Sequence, residues 1–179
     1  MKRLLLAAPL VLLVGLLAVL GWYNFHKKTD YAPAELVGKP LPARQLTDLY
    51  DGSLVSLPAI ARASGKPVLV NVFASWCTPC LAEHPYLMDL KAKGVIIIGI
   101  DHKDTPINGL SFIEKHGNPY ARILSDEDGQ MGLDLGISGV PETFIVGANG
   151  VVIDKITGPI VPETVPAVHK SVSEGTKLP

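Results

Sequence analysis

Two cysteines separated by two residues are the side chains of this sequence best suited to chemistry. Cys77 and Cys80 stand in the string Trp-Cys-Thr-Pro-Cys, and they are the only cysteines of the chain. A disulfide between them closes a very small loop, so it removes little entropy from the unfolded chain and stabilises a fold weakly. The pair is better suited to redox chemistry, in which one thiol attacks a disulfide and the other resolves the mixed disulfide.

The residues around the cysteines predict which of them attacks. Residues 68–73 form an apolar, β-branched run typical of a strand, and a helix is expected from Thr78 onward. Cys77 would then lie at the helix N-terminus, where the dipole and the unpaired N–H groups favour its thiolate. A thiol with a pKa of about 8.5 is a few per cent ionised at neutral pH, whereas one with a pKa of about 7 is roughly half ionised. We expect Cys77 to be the nucleophile and the more exposed thiol, and Cys80 to be the shielded, resolving thiol.

Metal binding is the main alternative use of a cysteine pair. A structural zinc site normally has four ligands, and the sequence has neither a second cysteine pair nor a histidine pair at the usual spacing. His84, His102 and His116 share no common spacing, so we expect each at the surface or at a helix end. We predict no metal site.

Strand and helix patterns place the cysteine motif in a βαβ unit followed by a ββα unit. A continuous apolar run at 95–100 predicts a strand covered on both faces, parallel to the strand before the cysteines. Asp51-Gly52 and Asn149-Gly150 are hairpin signals. The predicted order is strands 41–49 and 53–57, helix 58–64, strand 68–73, a helix from Thr78 that Gly94 stops, strand 95–100, helix 107–116, strand 120–124, a helical turn at 128–135, strands 143–146 and 151–156, and helix 162–173.

The beginning of the sequence predicts a membrane anchor. Lys2 and Arg3 precede a nearly uninterrupted apolar run over residues 4–23, and about 20 helical residues span the core of a bilayer. Aromatic and basic residues follow this run, and no small-residue cleavage site does, which favours a retained anchor over a cleaved signal peptide. We predict an anchor at 1–26, a tether at 27–37 and one exported domain at 38–179.

The remainder of the chain has the size of one ordinary globular domain, and the chain as a whole is close to electrically neutral. Residues 38–179 fall within the usual length of a single domain. The formal net charge is −1 and the isoelectric point is near 6.5. The sequence therefore lacks the basic character of nucleic-acid-binding proteins.

The motif and its surroundings resemble the thioredoxin superfamily. The resemblance rests on Trp-Cys-x-x-Cys at 76–80 and on Gly-Val-Pro-Glu-Thr at 139–143, before the late hairpin. With the predicted anchor, the N-terminal hairpin and Glu-His-Pro at 83–85, the chain looks like the membrane-anchored thiol:disulfide interchange proteins of cytochrome c maturation, the DsbE/CcmG family. This resemblance implies an α/β, thioredoxin-like fold. Its central mixed sheet is flanked by helices, with an extra N-terminal β-hairpin and one preceding transmembrane helix.

The resemblance also implies roles for five residues near the cysteines. Pro141 would be the cis-proline that faces them, and Trp76 would shield the disulfide. Glu83 and Glu142 would make the active site acidic, which disfavours a thiolate, although each could instead be a solvated glutamate. Thioredoxin has a buried Asp where this chain has Asn71, and an amide cannot take a proton from the resolving thiol. Glu83 is the candidate base in its place.

The function implied by the resemblance is protein-disulfide reduction. The clients would be apocytochrome c or a cytochrome c maturation thiol protein, and a thiol-disulfide electron donor in the membrane would re-reduce the cysteines. No cofactor beyond the redox-active disulfide is expected, and the location would be the bacterial inner membrane with the domain in the periplasm. The alternatives are a general extracytoplasmic oxidoreductase with other clients, and a copper-binding assembly protein that uses the same cysteine pair.

Overall fold

The computed structural model describes residues 12–19, 21–22 and 36–179. The chain divides into two compact units, Met1–Tyr31 and Ala32–Pro179. In the first unit the described residues are helical, and most of the predicted anchor and tether lies outside the described residues. Within the described part, no helix combines the length and the apolar character that crossing a membrane requires. The anchor stays a prediction.

Residues 36–179 fold as an α/β unit in which helices alternate with the strands of one sheet. Its elements, in chain order, are β1 (Gln45–Asp48), β2 (Leu54–Ser56), α1 (Leu57–Ala63), β3 (Val68–Phe73), α2 (Thr78–Ala92), β4 (Ile97–His102), α3 (Pro106–His116), β5 (Arg122–Asp126), α4 (Gln130–Asp134), β6 (Glu142–Val146), β7 (Val152–Thr157) and α5 (Val165–Glu174).

The sheet is mixed, with strand order β2-β1-β5-β4-β3-β6-β7. Strands β3, β4 and β5 run parallel, because helices α2 and α3 carry the chain back between them. The other neighbours are antiparallel, and β1–β2 and β6–β7 form hairpins. Strand β3 lies between β4 and β6. Because β3 and β6 are antiparallel, the residues that follow β3 and those that precede β6 meet at the same end of the sheet.

The core lies on both faces of this sheet, and β3 shows why the two faces differ. Side chains alternate along a strand, so Leu69 and Phe73 pack on the face that also holds Cys77 and Cys80. Val68, Val70 and Val72 pack on the opposite face. Asn71 has the same parity as Leu69 and Phe73, and it is completely buried. The alternation therefore directs one amide into the face that carries the cysteines.

Two strands extend further than their apolar residues indicate. The apolar pattern predicts strands at 95–100 and 120–124, but β4 ends at His102 and β5 at Asp126. Polar residues occupy the last positions of both strands, so the pattern understates them. These polar residues lie at the end of the sheet where β3 leads into the cysteine motif.

Candidate functional site

Cys77 and Cys80 form a disulfide at the start of helix α2, with an S–S distance of 2.05 Å. Cys77 is the N-cap residue, and its Sγ accepts a hydrogen bond from the Cys80 backbone N–H at 3.1 Å. The helix N-terminus thus directs at this sulfur an N–H that has no partner within the helix, as predicted for the nucleophile. Both cysteines are buried in the disulfide state, at 4% and 2% exposed, so Cys77 is only slightly the more accessible.

Helix α2 contains two prolines, one in its first turn and one in its interior. Pro79 lies in the first turn, where its missing N–H would have had no partner within the helix. Pro85 lies in the interior, and α2 continues through it to Ala92. The helix therefore begins at the motif and extends well beyond it.

The Val140–Pro141 peptide bond is cis, the conformation that the resemblance implies. Pro141 immediately precedes strand β6, which pairs with β3. Val140 packs against the core cluster that contains Cys77 and Cys80. The loop before β6 therefore lies at the end of the sheet where β3 leads into the cysteine motif.

Glu83 is a completely buried carboxyl one turn after Cys80 on helix α2. Its Oε1 accepts a hydrogen bond from Asn71 Nδ2 at 2.9 Å, and its Oε2 accepts one from the Ile160 backbone N–H at 2.8 Å. Burial raises the pKa of Glu83 to about 7, although both hydrogen bonds act in the opposite direction. Glu83 is therefore not a solvated glutamate, and near neutral pH it is close to half protonated.

Asn71 connects Glu83 to two hydroxyl groups that the sequence did not indicate. Asn71 Nδ2 also donates to Thr143 Oγ1 at 3.0 Å, and Asn71 Oδ1 accepts from the Tyr120 hydroxyl at 2.8 Å. Burial raises the pKa of Tyr120 well above its usual value, so this hydroxyl keeps the proton that it donates. Tyr120 stands 49 positions from Asn71, and no local pattern relates the two residues.

Glu142 is buried too, but it has a cation as a partner. Its Oε2 lies 2.7 Å from Lys155 Nζ, and its Oε1 accepts hydrogen bonds from the backbone and the hydroxyl of Ser138. Lys155 compensates the charge of Glu142 locally. Glu83 has no such ion-pair partner among the described residues, so it is the stronger candidate for a proton-transfer group.

Trp76 is the exposed residue of the motif. Its side chain is 59% exposed, and its indole N–H donates to the Lys103 carbonyl oxygen at 3.1 Å. The ring borders a cleft of about 260 Å³ whose lining includes His102, Lys103 and Val140. Trp76, the residue before Cys77, therefore forms a wall of an open cleft.

The expectation for two of the three histidines was wrong. His84 is buried, its Nε2 lies 2.9 Å from the Gly117 carbonyl oxygen, and burial lowers its pKa. His102 is 9% exposed, and its Nδ1 lies 2.6 Å from Asp126 Oδ2. Both histidines are buried because they have polar partners, which spacing alone does not reveal. His116 ends helix α3, as expected.

A second pair of carboxyls, Asp101 and Asp104, lies at the end of β4 and just after it. The sequence analysis did not identify this pair. Asp104 Oδ2 accepts a hydrogen bond from the Ser75 backbone N–H at 2.7 Å, two residues before Cys77. Asp101 is buried, and neither of its oxygens has a hydrogen-bond partner among the described residues. Burial, and secondarily the charge of Asp104, raises the pKa of Asp101 to about 8. Asp101 is therefore mostly a neutral acid at pH 7.

Metal-ligating side chains do not gather elsewhere in the part of the chain that the structure describes. No group of three or more His, Cys, Asp or Glu residues there could hold an ion. The chemistry that this arrangement supports is carried by the cysteine pair, the buried acid Glu83 and the cis-proline loop.

Comparisons with known proteins agree on one family. The Redoxin family profile matches residues 36–172. The chain is 39% identical over 166 residues to "Thiol:disulfide interchange protein DsbE" of Escherichia coli K12, covering 90% of this chain and 89% of that protein. It is 37% identical to "Thiol:disulfide interchange protein HelX" of Rhodobacter capsulatus, covering 92% and 93% of the two chains.

A solved structure supports the fold. The chain is similar to a structure described as a putative thiol:disulfide interchange protein DsbE from Chlorobium tepidum, with a TM-score of 0.64 and 23% identity. The similarity covers 76% of this chain and 94% of that one.

Proposed function

The chain belongs to the Redoxin family and, within the thioredoxin superfamily, to the DsbE-type thiol:disulfide interchange proteins, and from this membership we propose its client and its location. We propose that it is an exported, membrane-tethered oxidoreductase that reduces disulfides of apocytochrome c or of its chaperone during cytochrome c maturation. One observation carries the activity: the Cys77–Cys80 disulfide lies at a helix N-terminus, at the same end of the sheet as a cis-proline loop.

The reaction transfers two electrons from the cysteine pair to the client. In the reduced protein the Cys77 thiolate attacks one sulfur of the client disulfide, and the other client sulfur leaves as a thiolate. Cys80 then loses its proton and attacks Cys77 Sγ, which releases the first client sulfur. The client ends with two thiols, and the protein ends with the Cys77–Cys80 disulfide that the structure contains.

Glu83 is suited to take the proton from Cys80. A general base works best when its pKa is near the working pH, and burial brings the pKa of Glu83 to about 7. Asn71 cannot accept that proton, but its amide holds one Glu83 oxygen in place. Glu83 is thus the base, and Asn71 is the residue that positions it.

The direction of electron flow requires a donor outside this chain. An oxidising compartment re-forms disulfides, so a reductase there needs a supply of electrons. We propose that a membrane thiol-disulfide protein reduces the Cys77–Cys80 disulfide by dithiol exchange. The disulfide is then the only redox group that this chain needs.

The proposed location is the bacterial inner membrane, with the domain in the periplasm. The support is the apolar run over residues 4–23, with basic residues before it and aromatic and basic residues after it. The intact mass of protein extracted from membranes should include these residues. A mature chain that begins between residues 21 and 30 would instead indicate a cleaved signal peptide.

Trapping the mixed disulfide tests the function directly. In Cys80→Ala the reaction should stop with the client attached to Cys77, and a non-reducing gel followed by mass spectrometry would identify it. The matched control, Cys77→Ala/Cys80→Ala, should capture nothing. A trapped cytochrome c maturation protein supports the proposal, whereas clients outside that process would indicate a general oxidoreductase. Failure to trap any protein, or to reduce any disulfide, would refute the activity.

A further inference from the structure

The cleft beside Trp76 contains a lysine held in an unusual backbone conformation. Lys103 has φ +49°, and among the described residues it is the only non-glycine with a positive φ. This conformation is unfavourable for a non-glycine residue, so it persists only where the surroundings impose it. Strain of this kind often marks a functional position.

Hydrogen bonds on both sides of Lys103 impose this conformation. Its N–H donates to the Asp126 carbonyl oxygen at 2.9 Å, and its carbonyl oxygen accepts from the Trp76 indole at 3.1 Å. The aliphatic part of its side chain crosses Gly129, where an added Cβ would lie 2.5 Å from the Lys103 Cε. The backbone thus links the tryptophan next to Cys77 to β5, while the side chain runs along the cleft.

The charge of Lys103 is available to a ligand. The side chain is exposed, and its ammonium has no ion-pair partner among the described residues. No carboxylate is among the residues that line the cleft. Three buried acids of this region are engaged elsewhere: Asp104 accepts two backbone N–H groups, Asp126 pairs with His102, and Glu142 pairs with Lys155.

We propose that this cleft binds the client segment next to the reacting cysteine, and that Lys103 selects segments with an acidic side chain there. This inference rests on the proposed reductase function. The lining of the cleft includes the chain neighbours of the redox centre, because Trp76 directly precedes Cys77 and Val140 directly precedes the cis-proline. A cation in a cleft without carboxylates complements a carboxylate, and the exposed pair that they form should contribute modestly.

Peptide disulfides test the selection in the full-length, reduced protein. Two model peptides would carry the same disulfide, flanked either by glutamate or by glutamine, and a small neutral disulfide would report the basal activity. We expect kcat/KM for the glutamate peptide to be about two- to five-fold higher than for the glutamine peptide at low salt. The preference should come from KM and should weaken as salt is added.

Charge variants of Lys103 assign the preference to that residue. Lys103→Gln should abolish the preference, Lys103→Glu should reverse it, and Lys103→Arg should retain it, each read as the ratio of kcat/KM for the two peptides within the same variant. Lys170→Glu, on an exposed position of α5, is the control for net charge. A preference that survives Lys103→Gln, or that Lys170→Glu removes equally, would overturn the inference while leaving the reductase function intact. Failure to reduce even the neutral disulfide would instead refute the proposed function.

Discussion

Replacing Glu83 with Gln should change how stability depends on pH. Glu83 is fully buried, and its pKa rises from the usual 4.5 to about 7 because burial disfavours the carboxylate. At about 1.4 kcal/mol for each pH unit, this difference corresponds to about 3 kcal/mol of folding free energy. The folded state binds the proton more tightly than the unfolded state does. Proton binding by Glu83 therefore contributes fully to the folding free energy below pH 4.5, and this contribution is lost as the pH rises to about 7.

Glutamine fits this position because the hydrogen bonds around it can reverse. The carboxylate accepts from Asn71 and from the Ile160 N–H, so the new amide oxygen can keep the Ile160 bond. The new NH₂ group would then face Asn71, whose amide can flip so that its oxygen accepts. The hydroxyls of Thr143 and Tyr120 can donate to or accept from the flipped amide. Each of these side chains would then keep at least one hydrogen bond in the variant.

Urea unfolding of the oxidised protein between pH 4.5 and 8 measures the effect without interference from free thiols. The parent should lose about 3 kcal/mol across this range relative to Glu83→Gln, apart from effects that both proteins share. In the reduced protein, the rate at which Cys80 releases a preformed mixed disulfide should show an inflection near pH 7. Glu83→Gln should be slower and should lack that inflection.

An exposed glutamate provides the matched control for this comparison. Glu114 lies on the exposed side of α3, and Glu114→Gln should leave the pH profile of the parent unchanged. If Glu83→Gln and the parent show parallel stability profiles from pH 4.5 to 8, the carboxyl titrates normally and the burial argument is wrong. If the release rates also agree at every pH, Glu83 is not the base.

Three further predictions concern packing and reactivity. Gly109→Ala should destabilise the protein by about 1–3 kcal/mol in thermal unfolding, because the new Cβ would overlap Asp101 Oδ2, and Asp101→Ala in addition should restore much of the loss. Lys155→Met should cost about 3 kcal/mol in urea unfolding because it leaves Glu142 buried without its cation, and adding Glu142→Gln should recover part of it. Alkylation of the reduced protein near neutral pH, read by mass spectrometry, should label Cys77 first, and preferential labelling of the other cysteine would reverse the assigned roles.

The sequence could predict the order of elements because each has a local signal. The apolar residues of β3 and β4 and the Asn-Gly turn at 149–150 depend on neighbours in the chain. The role of Asp126 could not be predicted from its neighbours in the chain. It ends β5 and accepts hydrogen bonds from the Met131 and Gly132 N–H groups as well as pairing with His102, and the apolar pattern does not extend to it.

The same limit applies to the candidate site. The roles of the two cysteines follow from their spacing and from the helix that they begin, both of which are local. The burial of Glu83 depends on residues 12 and 77 positions away in the sequence, Asn71 and Ile160. A helix that contains Pro85 and several polar residues does not reveal which glutamate faces inward. The fold had to be known before Glu83 could be distinguished from a solvated residue.

The two outer strands of the sheet limit unwanted association between copies of this protein. Strand β2, at one edge, is only three residues long, which gives another chain little backbone to pair with. At the other edge, the Gly38 N–H donates to the carbonyl oxygen of Val152, which begins β7, and the Leu41 N–H donates to that of Gly150 just before the strand, so part of that edge is already covered. The same strand carries Asp154 and Lys155, and charged residues discourage edge-to-edge pairing. A sheet built in this way offers other chains little unpaired backbone to which they could add a strand.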